Sequence, residues 1–355
     1  MNTALLLSGG VDSSVALYKL KEEGITPDCF YIKIGPEQDK DWNCTSEEDM
    51  EMATSVARKY GCKLEVVDLH NEYWDKVVAY TMEKVKAGLT PNPDVMCNKL
   101  IKFGCFNDKA GHAYEQIATG HYATTTIKEG LKWLSTSPDP VKDQTDFLAQ
   151  LETWQIKKAI FPIGSLYKNE VREIAEKEHL VTAHRKDSQG ICFLGKINYN
   201  DYIRKFLGEK EGYVINIDTG KKMGTHKGYW FYTIGQRHGL GFGGGPWYVV
   251  KKDIEYNIVY ISNKIDLDNY EASSLNLRNI HFITKDPWAD TKCEDIEINF
   301  KIRHSPEFLK GKISKNGEVY HIEAEAPIQG IAPGQFGVLY DSEHKICYGS
   351  GEICI

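Results

Sequence analysis

The chain has 355 residues and a formal net charge of −7, with 41% hydrophobic and 26% charged residues. This length suits two or three domains, and the composition is that of a globular protein, which excludes a disordered or fibrous class. No apolar run approaches the roughly 18 residues that cross a bilayer, and the start, MNTALLLSGG, lacks the basic segment of a signal peptide. We therefore expect a cytoplasmic protein with no membrane partner.

The predicted elements of the first 125 residues alternate between strands and helices. Strands are predicted at 3–7, 29–34, 64–68 and 117–120, and helices at 14–23, 45–60 and 72–87. This alternation predicts a parallel sheet with helices on both faces and a ligand at the carboxyl ends of the strands.

In the second half of the chain, the sequence pattern changes to one that is typical of β-strands. Helical patterns continue at 155–160 and 168–178, and from about residue 210 glycines become dense and short alternating runs appear at 247–251, 257–262, 296–302, 319–325 and 336–340. We predict an α/β domain over 1–205, a small central β-rich domain over 206–270 and a C-terminal β-barrel over 271–355.

A glycine-rich loop, SGGVDSS at residues 8–14, follows the first predicted strand and precedes a helix. Glycines let a ligand approach the backbone, and the N–H groups at a helix N-terminus attract an anion. The SGGxDS pattern resembles the loop of ATP pyrophosphatases, which adenylate a substrate oxygen, and Asp12 would then hold Mg²⁺. The alternative is a plain tight turn in which Ser8 or Asp12 caps the helix.

Two of the nine cysteines lie in polar segments flanked by positive charge. The odd number and the lack of a CxxC pair argue against a disulfide framework or a zinc ribbon. Cys97 ends the turn-rich segment GLTPNPDVMC, which we expect to be a loop. A helix starting beyond it, together with Lys99 and Lys102, would lower the pKa of its thiol. Cys192 lies in RKDSQGICF, and the two cysteines together with the ATP loop point to sulfur chemistry.

The chain resembles the tRNA-specific 2-thiouridylases, a family that thiolates the wobble uridine of certain tRNAs. The matching stretches are LSGGVDSSVAL, GLTPNPDVMCNKLIKF, ATGHYA, KDQ, KDSQGICFLG, YTIGQRHGLGFGGG and PWYVV, with weaker matches at 301–303 and 332–335. The resemblance implies an N-terminal ATP-pyrophosphatase-like domain, an ATP and Mg²⁺ requirement, a tRNA substrate and a sulfur donor protein that carries a persulfide.

The resemblance also implies residue roles. Cys97 is then the nucleophile and Cys192 the persulfide carrier. ATP binding falls to Ser8, Gly9, Gly10, Val11, Asp12, Ser13, Ser14, Val15, Ile32 and Gly120. Contacts to the target base or the rest of the tRNA fall to Asn92, Pro93, Asp94, His121, Lys142, Asp143, Gln144, Arg303, His304 and Gln335.

The chemistry of these residue types agrees with the implied reaction. The C2 oxygen of uracil is a poor leaving group, and adenylation makes it a good one. A persulfide sulfur then attacks C2, and the partner thiol resolves the intermediate as a Cys97–Cys192 disulfide. The two cysteines must therefore approach to about 5.5 Å between their Cα atoms at some stage. The uridine must also leave its stack.

Several positions depart from the family pattern, and two of them, Asp146 and His304, lie at or beside expected RNA contacts. After KDQ the family has serine-tyrosine-phenylalanine, whereas this chain has Thr145-Asp146-Phe147, and His304 stands where an aromatic residue is expected. These departures suggest the hypothesis of a paralogue with altered tRNA preference. Two other interpretations stay open at this point: another adenylating ligase or tRNA modifier with the same loop, which would not need the cysteines, and a non-catalytic RNA-binding relative.

Overall fold

Within residues 2–35, 46–187, 199–264 and 272–354, which the computed structural model describes, the chain forms three β-sheets. The helices are α1 (Val11–Glu22), α2 (Ser46–Lys59), α3 (His70–Tyr73), α4 (Ala79–Lys86), α5 (Pro93–Cys97), α6 (Phe106–Lys109), α7 (Thr145–Leu148), α8 (Thr153–Lys158), α9 (Lys168–Lys177) and α10 (Tyr199–Leu207). Two π-helical segments, Trp74–Val78 and Asn98–Cys105, join α3 to α4 and α5 to α6. Short 3₁₀ turns occupy Gly111–Ala113 and Tyr229–Phe231.

The strands run in three groups along the chain. They are β1 (Thr3–Leu6), β2 (Asp28–Lys33), β3 (Leu64–Asp68), β4 (Gln116–Ala118), β5 (Thr124–Lys128), β6 (Leu131–Ser135), β7 (Ala159–Ile160), β8 (Gly212–Asn216), β9 (Lys222–His226), β10 (Tyr248–Asp253), β11 (Ile258–Ser262), β12 (Ala272–Phe282), β13 (Ile296–Lys301), β14 (Leu309–Asn316), β15 (Val319–Ile328), β16 (Phe336–Tyr340) and β17 (Ile346–Cys354).

The first sheet is parallel and has the strand order β3-β2-β1-β4-β7. Strand β1 is buried throughout, because Ala4 and Leu6 pack into one apolar cluster while Leu5 packs into the cluster on the opposite face. Strands β2 and β3 extend the sheet on one side of β1, and strands β4 and β7 extend it on the other side. The loops after β1 and β4 therefore lie at the point where the strand order reverses, which is where open α/β sheets bind ligands.

The other two sheets contain the strands of the second half of the chain, β8 to β17. A four-stranded sheet, β10-β11-β8-β9, forms the central domain. The strands β12-β15-β14-β13-β16-β17 close on themselves through pairing of β12 with β17, which makes a six-stranded barrel. The predicted fold class, a parallel α/β domain followed by a central β-rich domain and a C-terminal barrel, is confirmed.

A hairpin of the N-terminal half extends the barrel. Strands β5 and β6 pair with each other, and β6 pairs with β17 at Ser135↔Ile346 and Leu134↔Cys347. The sequence analysis assigned no strands here. The pairing partner lies more than 200 positions away in the chain, so no local pattern identifies this junction.

Two local predictions were wrong. The segment 155–160 was predicted helical throughout, but the helix α8 ends at Lys158 and Ala159–Ile160 form the fifth strand of the parallel sheet. The segment before Cys97 was predicted to be a loop, but α5 begins at Pro93, which occupies the first turn where its missing N–H costs nothing. None of the helices in the described ranges has the length and apolar character that a membrane crossing requires.

Candidate nucleotide and sulfur-transfer site

The glycine loop connects β1 to α1, and within it the Ser8 and Gly10 N–H groups donate to Ser13 Oγ and Ser8 Oγ at 3.2 and 3.4 Å. Gly10 is the residue before α1, and no side chain caps this helix N-terminus. The serine hydroxyls instead fold the loop on itself, because Ser13 Oγ and Ser14 Oγ donate to the Gly10 carbonyl at 3.1 and 2.8 Å. The uncapped N–H groups and the helix dipole form an anion site. The cap by Ser8 or Asp12 that the plain-turn alternative assumed is not formed.

Two glycines permit close backbone approaches at this loop. Gly9 has φ +77°, and a Cβ there would lie 2.1 Å from the Asp49 carbonyl oxygen. A Cβ on Gly120, just beyond β4, would lie 2.7 Å from the Ser13 nitrogen. Any larger residue at Gly120 would push β4 and α1 apart. The requirement for glycine at both positions is therefore steric.

Asp12 is held by a phenol and an ammonium group. Tyr122 Oη donates to Asp12 Oδ1 at 2.8 Å, and Lys168 Nζ donates to the same oxygen at 2.7 Å. Burial and the neighbouring Asp12 charge raise the pKa of Tyr122, so the phenol keeps its proton and acts as a donor. These contacts fix one carboxylate at the N-terminal turn of α1.

A second carboxylate, Asp187, gathers three cations beside the loop. It binds Lys142 Nζ at 2.8 Å, Lys168 Nζ at 2.9 Å and an Arg172 guanidinium nitrogen at 2.6 Å. Burial would raise the pKa of Asp187, but the hydrogen bonds from Lys142 and Lys168 outweigh it and hold that pKa well below its usual range. Three cations thus lie beside Asp12 and Asp187, where they could also pair with the negative charges of a bound polyphosphate.

The segment that leads to Cys192 starts at this cluster. Arg185 donates to the Gly9 carbonyl at 2.8 Å and forms an ion pair with Asp49. Asp187 lies five positions ahead of Cys192 in the sequence. Cys192 itself lies outside the described residues. The motif RKDSQGICF is thus anchored at its basic end to the phosphate loop.

Cys97 lies at the last position of α5, on the sheet face that also contains Ile32. The side chain is 1% exposed and belongs to an apolar cluster with Leu6, Ile32 and Ile101. Cys97 was expected near a helix N-terminus beyond it, but the helix begins at Pro93 and continues past the cysteine as the π-helical segment Asn98–Cys105. Lys99 forms an ion pair with Glu152 at 2.7 Å.

The barrel holds the loop that precedes α5. Gln335 Nε2 donates to the carbonyl oxygens of Thr90 and Pro91 at 3.1 and 2.8 Å, and Asn92 Nδ2 donates to Gln335 Oε1 at 3.5 Å. Asn92 Oδ1 also accepts from Val95 N at 3.3 Å, which caps α5. We call the three hydrogen bonds of Gln335 the Gln335 clamp. The clamp positions the start of the helix that carries Cys97.

Replacing Gln335 by alanine is expected to lower the rate of product formation by about tenfold, because small displacements of a reactive group have large effects on rate. The affinity for ATP should stay unchanged, since the three hydrogen bonds of the clamp go to Thr90, Pro91 and Asn92 and not to the phosphate loop. Steady-state kinetics with saturating ATP and varied substrate check this, with Asn316→Ala on an exposed barrel turn as the control. A Gln335→Ala protein with an unchanged maximal rate would show that the clamp has no positioning role.

The expected RNA contacts fall into buried and exposed groups. Asp143 is 1% exposed, accepts from Ser137 N at 3.0 Å and pairs with Lys301 at 3.4 Å. His121 is 8% exposed, and burial holds its pKa well below the usual range. Gln144 Oε1 accepts from Tyr122 N at 2.9 Å, whereas Arg303 and His304 are exposed.

Three family models match the chain in consecutive segments. They are described as the tRNA methyl transferase HUP domain over residues 1–196, the tRNA methyl transferase PRC-barrel domain over 200–263 and the aminomethyltransferase beta-barrel domain over 272–353. Among full-length relatives, the tRNA-specific 2-thiouridylase MnmA 1 of Bacteroides thetaiotaomicron is 60% identical over 354 residues, covering 99% of each chain. The chain belongs to the tRNA-specific 2-thiouridylase family.

Other members of the tRNA-specific 2-thiouridylase family match over the same length. MnmA 2 of Bacteroides fragilis is 59% identical over 353 residues, covering 99% of this chain and 100% of the relative. MnmA of Parabacteroides distasonis is 58% identical over 355 residues, covering 99% of each. The resemblance that the motifs predicted is confirmed.

Sequence analysis missed several residues of this 2-thiouridylase site. Lys168, Arg172 and Asp187 were given no role, although Lys168 forms ion pairs with both Asp12 and Asp187, and Arg172 forms one with Asp187. Lys168 begins α9 in the stretch FPIGSLYKNEVR, and its distance of 156 positions from Asp12 hides the contact. The available signal was Asp187 itself, a carboxylate within the quoted KDSQGICFLG motif.

Proposed function

We propose that this chain is an ATP-dependent tRNA-uridine 2-sulfurtransferase, which adenylates the C2 oxygen of the wobble uridine and replaces it with sulfur. The observation that carries the proposal is the Asp187 cluster. One carboxylate of the Cys192 motif binds Lys168, and Lys168 binds Asp12 of the phosphate loop. The described start of the Cys192 motif therefore lies at the ATP-binding loop, which supports a single site for both chemical steps.

The phosphate loop supports the adenylation step. Its uncapped amide groups bind the phosphates, and Lys168, Lys142 and Arg172 supply positive charge toward the leaving pyrophosphate. Ile32, buried at the end of β2, is placed for the adenine side of ATP. Attack of the uracil oxygen on the α-phosphorus then forms the adenylate and releases pyrophosphate.

Asp12 fits the expected magnesium ion as a single carboxylate ligand. Mg²⁺ in nucleotide sites is commonly held by one or two carboxylates together with phosphate oxygens and water. The Asp12 side chain is 32% exposed and lies at the loop that would hold the phosphates. The ion would shield phosphate charge, while Lys168 and Tyr122 orient the Asp12 carboxylate.

The two cysteines carry the sulfur step of this proposal. A Cys192 persulfide attacks C2 and displaces AMP, and the Cys97 thiolate then attacks the Cys192 sulfur to release 2-thiouridine with a Cys97–Cys192 disulfide. Asn92, Pro93 and Asp94 lie at the start of α5, three to five positions before Cys97, and would read the edge of the flipped base. A persulfide-carrying donor protein would reload Cys192, and a reductant would open the disulfide.

The tRNA contacts divide according to exposure. Arg303 and His304 are placed to touch RNA directly. Asp143 and Gln144 would act on the RNA-facing surface indirectly, by holding the loop that carries Lys142 through internal hydrogen bonds, whereas buried His121 is hydrogen-bonded to Thr119. A reaction on tRNA places the protein in the cytoplasm. The domain limits 1–205, 206–270 and 271–355 describe its working parts in this proposal.

The test of this function is thiolation of tRNA by the purified protein. Incubation with unmodified tRNA, ATP, Mg²⁺ and a persulfide donor should give 2-thiouridine at the wobble position, measured by mass spectrometry of nucleosides, together with AMP and pyrophosphate. AMP formation without 2-thiouridine under any donor would instead identify another adenylating tRNA modifier. A lack of both products would identify a binding protein.

A further inference from the structure

The two departures from the family pattern lie in contact with each other. His304 Nδ1 is 3.1 Å from Asp146 Oδ2 and 3.4 Å from Oδ1, although the residues are 158 positions apart. The Asp146 side chain is 7% exposed, whereas that of His304 is 39% exposed. A shielded carboxylate and an imidazole with one face in water therefore occupy places where aromatic residues were expected.

The surroundings of His304 favour its protonated form. The hydrogen bond that His304 Nδ1 donates to Asp146 raises the pKa of His304, and this effect outweighs the opposing effect of burial. Among the other charges that face the ring, Asp143 supports protonation and Lys301 opposes it. Lys301 lies on β13 and is itself paired with Asp143, so its charge is largely offset.

The ion pair lies close to α5, the helix that ends at Cys97. Asp146 belongs to α7, whose Phe147 carbonyl accepts from the side chain of Asn98 at 3.0 Å. Asn98 follows Cys97 directly in the chain. The Phe147 ring packs on the other side of the pair, with its centroid 4.9 Å from that of His304. Phe147 and Asn98 thus link the pair to the helix that carries Cys97, and RNA bound at that helix would have the pair nearby.

We infer that the Asp146–His304 pair is a phosphate-binding element, in which the imidazolium of His304 donates from Nε2 to the tRNA backbone. The inference rests on the proposed function. It adds that the contact between His304 and tRNA depends on a positive charge on the imidazole ring. Nδ1 faces Asp146, so the ring directs Nε2 away from the carboxylate, and no residue in the described ranges is found hydrogen-bonded to Nε2. The exposed Arg303 beside it adds a second positive charge.

The contact has a defined dependence on pH. Because the pKa of His304 is raised, the positive charge is complete at low pH and is lost as the pH rises through that pKa. Affinity for tRNA should fall over the same range. The stability that the ion pair contributes follows the same sign, since it is present in full below the unfolded pKa of histidine and disappears as the pH rises through the folded value.

The experiment measures tRNA binding as a function of pH and salt. The variants are His304→Gln, whose amide still donates to Asp146 without charge, and Asp146→Asn, which keeps a polar partner but removes the carboxylate. Wild-type protein should bind about tenfold more tightly at about pH 6 than at about pH 8.5. His304→Gln should lose this dependence, and its slope of log affinity against log salt should fall by about 0.7 to 0.9, as expected for one phosphate. Asp146→Asn should move the transition to lower pH.

The control is His321→Gln on the barrel, where an exposed histidine already pairs with Asn276 at 2.9 Å. This variant should keep the wild-type pH profile. An unchanged pH profile and salt slope in His304→Gln would overturn the inference, as would a His304→Phe protein that binds as tightly as wild type at low pH, because stacking would then explain the contact. Thiolation by the wild-type protein in the same preparations separates these outcomes from a failure of the proposed function.

Discussion

Replacing either Cys97 or Cys192 by serine is expected to abolish formation of 2-thiouridine while adenylation of tRNA continues. A serine hydroxyl can neither carry a persulfide sulfur nor form the disulfide that releases the product. Neither thiol is needed to bind ATP, because the phosphate loop lies on different chain segments. Loss of product in both variants would therefore separate the sulfur step from the adenylation step.

Two readouts on the same samples test this prediction. Nucleoside mass spectrometry measures 2-thiouridine, and exchange of labelled pyrophosphate into ATP in the presence of tRNA measures adenylation. Cys105→Ser is the matched control, because Cys105 is also buried in the helical run beyond α5 and has no proposed role. Formation of 2-thiouridine at the wild-type rate by the Cys97→Ser or Cys192→Ser protein would exclude the two-cysteine mechanism. Peptide mapping after one turnover without reductant should recover Cys97 joined to Cys192.

Replacing Lys168 by methionine is expected to slow pyrophosphate exchange by about 100-fold or more, the usual effect of losing one donor that stabilises developing charge. Lys168 Nζ lies 2.7 Å from Asp12 and 2.9 Å from Asp187, and its side chain is only 15% exposed. It is therefore positioned by the protein before ATP arrives. Its charge can then act on the phosphates without reorganisation.

The controls for Lys168 separate charge from folding. Lys168→Arg keeps the positive charge and should recover part of the rate, whereas Lys177→Met removes a solvent-exposed lysine from the same helix and should leave the rate unchanged. Asp12 and Asp187 each lose an ion-pair partner in the Lys168→Met variant. Thermal melting checks that this variant still folds. Pyrophosphate exchange at the wild-type rate in a folded Lys168→Met protein would remove this residue from the adenylation machinery.

The Asp187 cluster gives a physical reason why one chain performs two chemical steps. The cations that would bind phosphate also fix the start of the Cys192 motif, through Asp187 and through Arg185 on the Gly9 carbonyl. The Gln335 clamp holds the residues just before α5, the helix that carries Cys97. The start of the Cys192 motif and the start of α5 are thus each held by residues remote in sequence.

The amino-acid sequence by itself determined the fold class, the family and the phosphate loop. These depend on local patterns, since alternation of apolar runs predicts a parallel sheet and SGGVDSS needs only its neighbouring strand and helix. The start of α5 was also readable, because Asn92 followed by Pro93 is a helix-start pattern that the surrounding turn residues obscured. The two-residue strand Ala159–Ile160 was not, since so short a segment has no periodicity of its own.

Only the tertiary structure decided which distant residues share the site. Lys168 meets Asp12 across 156 positions, Gln335 meets Pro91 across 244, and His304 meets Asp146 across 158. Local propensity carries no information about such pairs, because they follow from how the sheet, the α7 segment and the barrel pack. Two residues that seemed to be independent departures in the sequence form one ion pair, because folding brings their charges within hydrogen-bonding distance.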